Sequence, residues 1–133
     1  MAERIKDLML AEHGRIEHLL EACTKDFENN FSKLKWNIEK HFFIEEKVVF
    51  SIFQTMKGEE IDTVFDLIGE HGKILEFLNE LEKKHSKENF ENLHRLLTAH
   101  KHLENESFYP RLDEELGEVQ RAEIIEKIKE IVE

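Results

Sequence analysis

The spacing of hydrophobic residues along the chain predicts four long amphipathic helices and a shorter fifth helix. Apolar side chains recur every three or four residues over about 5–23, 31–56, 61–84 and 89–109, and again over about 118–132. Polar stretches interrupt this pattern at FENNFS (27–32), KGEE (57–60) and HSKEN (85–89), and Gly117 precedes the last helix. The breaks are short, so each helix is expected to follow closely on the one before.

Three residues are expected to mark helix ends. Asp62 and Ser86 stand where a side-chain oxygen can cap the third and fourth helices. Pro110 is expected to kink or end the fourth helix, because its ring removes a backbone donor and crowds the preceding turn.

Short connections make consecutive helices antiparallel neighbours, which predicts an all-α, up-down-up-down four-helix bundle with a short C-terminal fifth helix. An extended coiled coil is the alternative, but it requires heptads sustained across these breaks. The 133 residues fit a single domain, with the bundle over about 4–112 and the last helix over about 118–132. That helix could close one end of the bundle or pair with another chain.

Composition and charge narrow the classes of function. A formal net charge of −11 argues against a nucleic-acid partner and against a polybasic membrane anchor, since both need a positive surface. Cys23 is the single cysteine, which fits a reducing compartment. The N-terminus lacks the pattern of a signal peptide, and no segment has the ~18 apolar residues of a membrane span. A cytoplasmic location is expected.

Polar residues interrupt the apolar stripes at related places. His13 lies three residues before Ile16 and seven before Leu20, so it faces the core, and EHGKI (70–74) places His71 in the same way. In the second helix His41 lies on the stripe, and Glu45 follows one turn later. A buried carboxylate is costly unless it is paired or ligated, so these positions point to a site.

The fourth helix offers two His-Glu pairs, His100/Glu104 and His102/Glu106, which point about 160–200° apart. Leu93 and Leu97 precede His100 at the offsets at which Leu34 and Ile38 precede His41. His102 has Arg95 and Ala99 at those offsets, which indicates a more exposed face. The predicted inward pair is therefore His100/Glu104.

The chain reads as a duplicated two-helix unit. His13 and His41 are 28 residues apart, and His71 and His100 are 29 apart. Four imidazoles and two carboxylates facing inward predict a dinuclear metal site, for which iron, manganese or zinc are suitable ions. One ion would take His13 and His41 and the other His71 and His100, with Glu45, Glu104 and a solvent oxygen as bridges. Each ion would then keep one open position for a small molecule.

Four strings in order, LMLAEHGRIEHLL, HFFIEEKVVF, EHGKILEFL and HKHLENESFYPRL, resemble the motifs of hemerythrin-like (HHE cation-binding) domains over about residues 4–112. The resemblance implies two iron ions with an oxo or hydroxo bridge, in a four-helix bundle. It further implies a role with dioxygen, nitric oxide, peroxide or iron itself.

The chain departs from that family at informative positions. Oxygen carriers have a fifth histidine where Leu75 stands here, so the resemblance is closer to the hemerythrin-like domain of iron–sulfur cluster repair proteins, whose additional N-terminal cysteine segment this chain lacks. Glu17 is equivalent to Leu75 and is either an extra ligand or a solvated residue. Asn105 stands where the first half has Glu46.

The remaining polar and aromatic residues are assigned simpler roles. Glu12 and Glu70 are either exposed or hydrogen-bonded to ligand histidines, and Gly14 and Gly72 would relieve crowding beside the ligands. Packing or site-lining roles are expected for Phe42, Phe43, Phe50, Phe53, Trp36, Tyr109 and Cys23, and surface or supporting positions for His18, His85, His94 and His102.

The expected function is a di-iron protein that binds or reacts with dioxygen, nitric oxide or peroxide, in sensing, scavenging or iron handling. A di-iron oxidase or peroxidase, a reversible oxygen carrier and a zinc-bound or metal-free interaction bundle are the alternatives. A redox partner protein is possible, and the chain would act as a monomer or homodimer.

Overall fold

The computed structural model describes residues 4–58 and 61–132, which are almost entirely helical. Two π-helical segments, Glu45–Phe50 and Glu104–Phe108, each join two consecutive α-helices without a break. No β-strand occurs in the described ranges, so the predicted all-α class is confirmed. The α-helices are α1 (Ile5–Lys25), α2 (Phe27–Ile44), α3 (Ser51–Lys57), α4 (Asp62–Lys83), α5 (Lys87–Leu103), α6 (Tyr109–Glu115) and α7 (Glu118–Val132).

The turn between α1 and α2 is shorter than the sequence predicts. FENNFS (27–32) is helical, and the non-helical residue is Asp26, whose side chain caps α2 by accepting from the Asn29 backbone N–H at 3.3 Å. The Phe27 and Phe31 rings stack one turn apart, with centroids 4.8 Å apart. An apolar pair at this spacing continues the helical stripe through a stretch that looks polar.

Two of the predicted helix ends have different outcomes. Ser86 caps α5 as predicted, accepting from the Asn89 N–H at 3.2 Å. Asp62 was predicted to cap α4, but it is the first helical residue, and Ile61 occupies the N-cap position. Of the predicted break KGEE, Gly58 ends α3 with a left-handed φ of 72°, while Glu59 and Glu60 lie outside the described residues.

Pro110 does not end the fourth helix, which continues to Glu115. The second π segment precedes it, and the Tyr109 N–H donates to the carbonyl of Glu104, five residues back. The hydrogen-bond pattern has already shifted at this point, and Pro110 stands in the first turn of α6, where a missing N–H is tolerated.

Two hydrophobic clusters lie on either side of a polar layer. One contains Ile5 and Met9 of α1, and the other contains Ile16 and Leu20, so that His13 falls between them. The same alternation along α4 places His71 between Leu67 and Ile74. The two clusters hold the polar layer out of contact with bulk water.

Helix α7 packs against the first cluster through Ile124 and Ile128, which are fully buried. Each such side chain contributes about 1.5–3 kcal/mol by leaving water. Helix α7 therefore closes this end of the molecule.

Asp113 of α6 accepts hydrogen bonds from the Ile5 and Lys6 N–H groups at 2.9 and 3.2 Å, which fixes the start of α1.

Several apolar residues predicted to pack are exposed. Phe43 is 53% exposed and Trp36 66%, so neither lines an interior site. Ile68 and Val119, which lie within the predicted third and fifth amphipathic helices, are also exposed. Cys23 is buried in the second cluster, where burial raises the pKa of its thiol to about 11 and leaves it a packing residue.

Within the described ranges, no helix combines the length and apolarity needed to cross a bilayer.

Candidate metal centre

The structure places all six predicted site residues in the polar layer. They come from α1, α2, α4 and α5 and from the two π segments, and the most exposed of them retains only 6% of its accessible surface. The six are His13, His41, Glu45, His71, His100 and Glu104.

Each carboxylate is the first residue of a π segment, a feature that the sequence does not predict. Glu45 and Glu104 stand at equivalent positions of the two halves, so the same local widening of the helix occurs twice. Their Oε1 atoms lie 3.2 Å from Nε2 of His41 and His100, four residues earlier. Short π segments are frequent at functional sites, and here they accompany the only carboxylates that the described core buries completely.

The donor atoms of the six side chains converge. The Nε2 atoms of His13 and His41 are 3.0 Å apart, and those of His71 and His100 are 3.1 Å apart. Glu45 Oε1 also lies 3.2 Å from His71 Nε2, and Glu104 Oε1 lies 3.2 Å from His13 Nε2. Each carboxylate therefore stands between a histidine of its own half and one of the other half.

The outward nitrogens of three histidines are hydrogen-bonded. The Nδ1 atoms of His71 and His100 donate to Glu46 at 2.8 Å and Glu70 at 2.7 Å, and His13 Nδ1 donates to Asn105 Oδ1 at 3.1 Å. A carboxylate can only accept, so both Nδ1 atoms of the second half carry protons. The facing Nε2 atoms of His71 and His100 then both present lone pairs. Two lone pairs this close repel each other unless a cation lies between them.

Several buried acceptors lack a donor. Among the described residues, Glu45 Oε1 and both oxygens of Glu104 have no hydrogen-bond partner. Buried polar groups are almost always satisfied, so unsatisfied oxygens beside facing lone pairs fit a missing cation. Two sets of atoms, from Glu45, His71, His100 and Glu104 and from His13, His41 and Glu104, lie within 4.8 Å of one another and could hold a metal ion.

Protonation states favour cation binding. Burial, helped by the neighbouring His41, lowers the pKa of His13 to about 3, so its imidazole is neutral at pH 7. Burial acts to raise the pKa of Glu45, but His41 and the other site histidines outweigh it and hold that pKa well below its usual value. Burial and the adjacent Glu45 charge raise the pKa of Tyr109 well above its usual range, so its hydroxyl keeps its proton.

The sequence profile described as the hemerythrin HHE cation binding domain matches residues 4–112. The chain belongs to this family. No curated protein and no solved structure matches the chain. Membership of the hemerythrin HHE family agrees with a buried histidine–carboxylate cluster that could hold a metal.

The alternative candidates lie away from the cluster. His102 is exposed, as are His18, His85 and His94. Glu17 forms an ion pair with Lys101, its side chain is 51% exposed, and it belongs to neither set of convergent donors. Leu75 packs against the second hydrophobic cluster and offers no donor atom.

Supporting residues around the hemerythrin-like site only partly follow the sequence expectations. Glu70 accepts a hydrogen bond from the site histidine His100, which was one of the two predicted alternatives for that residue. Glu12 is 4% exposed, so the prediction of an exposed side chain is wrong for it. Its carboxylate accepts a hydrogen bond from Arg15 at 2.6 Å instead of from a histidine. An added Cβ at Gly14 or Gly72 would meet no described atom within 4 Å, so the predicted relief of crowding is wrong, and nothing in the structure explains these glycines.

Sequence reasoning missed Tyr109, which it treated as packing. The Tyr109 hydroxyl donates to Glu45 Oε2 at 2.9 Å and lies 3.4 Å from His13 Nε2. Because 59 residues separate His41 from His100, the equivalent of Tyr109 in the first half is Phe50. A comparison of the two halves would have found this hydroxyl.

A cavity of about 30 Å³ adjoins the cluster, between His13 and His41 of the first half, His100 of the second half, and apolar side chains that include Leu20 and Leu97. Phe42 stacks on His71 at 3.8 Å, whereas its equivalent, Lys101, reaches the cavity rim and pairs with Glu17. The ring that covers His71 thus has no counterpart over His13. The cavity contacts His13, His41 and His100, and His71 is not among its lining residues.

We expect the metal-free protein to lose stability on acidification. The pKa of His13 is lower in the folded protein (about 3) than in the unfolded chain (about 6.5), so the unfolded chain takes up the proton first. Stability is complete above about pH 6.5 and decreases as the pH falls toward 3, by about 2 kcal/mol from this residue between pH 6.5 and 5. Urea unfolding of metal-free protein at both pH values measures this change.

The matched variants are His13→Gln and His102→Gln. His13→Gln should reduce the pH dependence, whereas the exposed His102→Gln should leave it intact. An unchanged pH dependence in His13→Gln would contradict the assignment.

Proposed function

We propose that this protein is a non-heme di-iron protein that binds or reacts with a small ligand, dioxygen, nitric oxide or peroxide, in sensing, scavenging or iron handling. The observation that carries the proposal is the set of buried acceptors facing one another without donors, in particular Glu104 and the His71/His100 pair. Membership of a cation-binding family supports a bound metal. That the metal is iron, and that two ions bind per chain, is our inference.

The donor chemistry suits this choice. Neutral imidazole and carboxylate together bind iron, manganese or zinc, and manganese or zinc are the less favoured ions here. We infer that His13 and His41 hold one ion and His71 and His100 the other, with Glu45 and Glu104 between them. Two bound iron ions would supply redox-active positions for a small ligand, and the chain provides a buried, largely apolar surrounding. We further infer one domain over 1–133, arranged as an up-down-up-down four-helix bundle.

The size of the adjoining cavity supports a small ligand. A space of about 30 Å³ exceeds the ~10–15 Å³ that one water needs, and it suits a diatomic molecule or a peroxide rather than an organic substrate. The absence of a donor at Leu75 favours sensing, scavenging or iron handling over bulk oxygen transport.

Catalytic turnover as an oxidase or peroxidase is the second candidate, and Tyr109 favours it. Its hydroxyl is buried, keeps its proton and lies 3.4 Å from His13 Nε2, where it would donate to a ligand held in this half by giving up its hydrogen bond to Glu45. Sustained consumption of oxygen or peroxide would distinguish turnover from reversible binding.

The proposed setting is the cytoplasm, with no nucleic-acid or membrane partner, since the net charge is −11. A redox partner protein would reduce the centre, and the chain is proposed to act as a monomer or homodimer.

We expect protein purified with iron under anaerobic conditions to contain about two irons per chain. Titration with oxygen, followed by absorbance, should give a stoichiometric change, and its reversal on removing oxygen would identify a carrier. Far fewer than two irons per chain would overturn the proposal and favour a zinc-bound or metal-free interaction bundle.

A further inference from the structure

The hydrogen bond between His100 and Glu70 has no counterpart in the first half of the chain. His100 Nδ1 donates to Glu70 Oε1 at 2.7 Å. The duplication makes His41 the equivalent of His100 and Glu12 the equivalent of Glu70. His41 Nδ1 is buried and has no hydrogen-bond partner in the described part of the chain, and Glu12 is only 4% exposed. Two buried groups that the second half joins are therefore separate in the first half.

Two cations hold the Glu12 carboxylate instead. Its Oε2 accepts a hydrogen bond from Arg15 at 2.6 Å, and its Oε1 lies 3.6 Å from Lys40 Nζ. The equivalents of these cations in the second half are Lys73, which is exposed, and Ala99, which carries no charge. The competition for the carboxylate is therefore stronger in the first half.

The hydrogen bond between the two histidines of the first half explains why Glu12 turns away from His41. His13 Nδ1 donates to Asn105, so His13 Nε2 is an acceptor. His41 Nε2 lies 3.0 Å from it and is therefore the donor. A neutral imidazole carries one proton, so His41 Nδ1 then bears a lone pair. A carboxylate has no proton to donate to that lone pair, and Glu12 gains nothing from His41 in this arrangement.

A cation held by His41 reverses this situation. Coordination uses the lone pair of Nε2, so the single ring proton must leave Nε2 and be restored at Nδ1. The ring stays neutral, and no net proton is gained or lost. The buried Nδ1–H then requires an acceptor, as the outward N–H of a ligand histidine almost always does. Glu12 is the carboxylate at the equivalent position to Glu70, where the same backbone arrangement already supports such a bond.

We propose that Glu12 is a switch residue: it binds Arg15 while His41 is bonded to His13, and it accepts from His41 Nδ1 when a cation occupies the first half. The exchange releases Arg15, whose side chain is 55% exposed, and so changes the charge that the surface displays. A local change of pairing of this kind is how a buried centre is read at the surface. This inference rests on the proposed function, because it requires a metal at His41.

Zinc chloride added to metal-free protein labelled with ¹⁵N in histidine and arginine tests the exchange without requiring activity, since imidazole and carboxylate also bind zinc. By NMR, His41 should carry its proton on Nε2 before zinc and on Nδ1 afterwards, and the Arg15 side-chain signal should shift at the same equivalent. A proton on His41 Nδ1 from the start, or an Arg15 signal that zinc leaves unchanged, would overturn the inference while leaving the proposed function intact. A protein that takes up neither zinc nor iron would overturn both.

Substitutions should change the zinc affinity of the first half in opposite directions. Glu12→Met removes the acceptor and should weaken binding about 10-fold or more, as loss of a residue that supports a ligand histidine does. Arg15→Ala removes the competitor and should strengthen binding a few-fold, because an ion pair with an exposed partner is weak. Lys73→Ala is the matched control in the second half and should change neither affinity, since Glu70 already bonds to His100.

The double variant separates the exchange from a plain effect of charge. If Arg15 acts through Glu12, Arg15→Ala should have no effect on zinc affinity in Glu12→Met protein. An equal gain in both backgrounds would mean that loss of a positive charge alone strengthens cation binding, and it would overturn the inference. Glu12→Gln, which keeps the shape of the side chain and removes its charge, replaces Glu12→Met if that variant fails to fold.

Discussion

Replacing His100 with alanine is expected to abolish metal loading, whereas His102→Ala should retain about two irons per chain. His100 is 3% exposed, its Nε2 lies 3.2 Å from Glu104 Oε1, and its Nδ1 is fixed by Glu70. Its removal takes one of the two imidazoles of the second half and leaves Glu70 without its partner. His102 is exposed and belongs to neither set of convergent donors. Iron and protein analysis of both variants after anaerobic reconstitution gives the answer.

Circular dichroism on the same samples separates loss of metal from loss of fold. Both variants should remain helical, because the hydrophobic clusters on either side of the layer are intact. Iron retained by His100→Ala and lost by His102→Ala would reverse the assignment of the fourth-helix pair.

The positions of the six site residues could be predicted because each interrupts an otherwise regular apolar stripe. His13 and His71 replace core residues between Met9 or Leu67 and the next apolar turn, and the duplication makes each half a check on the other. The choice of His100 over His102 followed from the same periodicity. Burial follows helical spacing closely, and this spacing places His100 on the buried face of the helix and His102 on the exposed face.

The supporting residues could not be predicted in the same way. Whether Glu12 binds a histidine or Arg15 depends on competition between neighbours, and periodicity carries no information on that competition. The π segments depend on hydrogen-bond register and give no signal in the hydrophobic pattern, so the continuation of the helix past Pro110 to Glu115 could not be predicted. Exposure of Trp36 and Phe43 depends on which helix faces remain uncovered, and a single helical stripe does not determine this.

Replacing Glu104 with methionine is expected to stabilise the metal-free protein while destroying metal loading. Glu104 is fully buried, and neither of its oxygens has a hydrogen-bond partner among the described residues. A side chain of similar volume without charge removes that desolvation cost, which is about 1–3 kcal/mol for an unsatisfied buried polar group and more for a charged one. With iron present the order should reverse, because the wild-type protein gains the binding free energy of its ions and the variant loses a ligand common to both halves.

Urea unfolding of both proteins, with iron and after its removal, measures the two differences, and Glu106→Met is the matched control. Glu106 is exposed on the same π segment, so its replacement should change stability by no more than about 0.5 kcal/mol in either state. A metal-free Glu104→Met variant less stable than wild type would mean that a ring N–H of His13 or His100, whose Nε2 atoms lie 3.2 Å away, already satisfies the carboxylate. In that case the buried cluster would be a self-contained hydrogen-bonded network, and the unsatisfied oxygens would no longer argue for a metal. Stabilisation in the metal-free state and destabilisation in the iron-bound state together would show that this core is arranged for its ions at the expense of the empty fold.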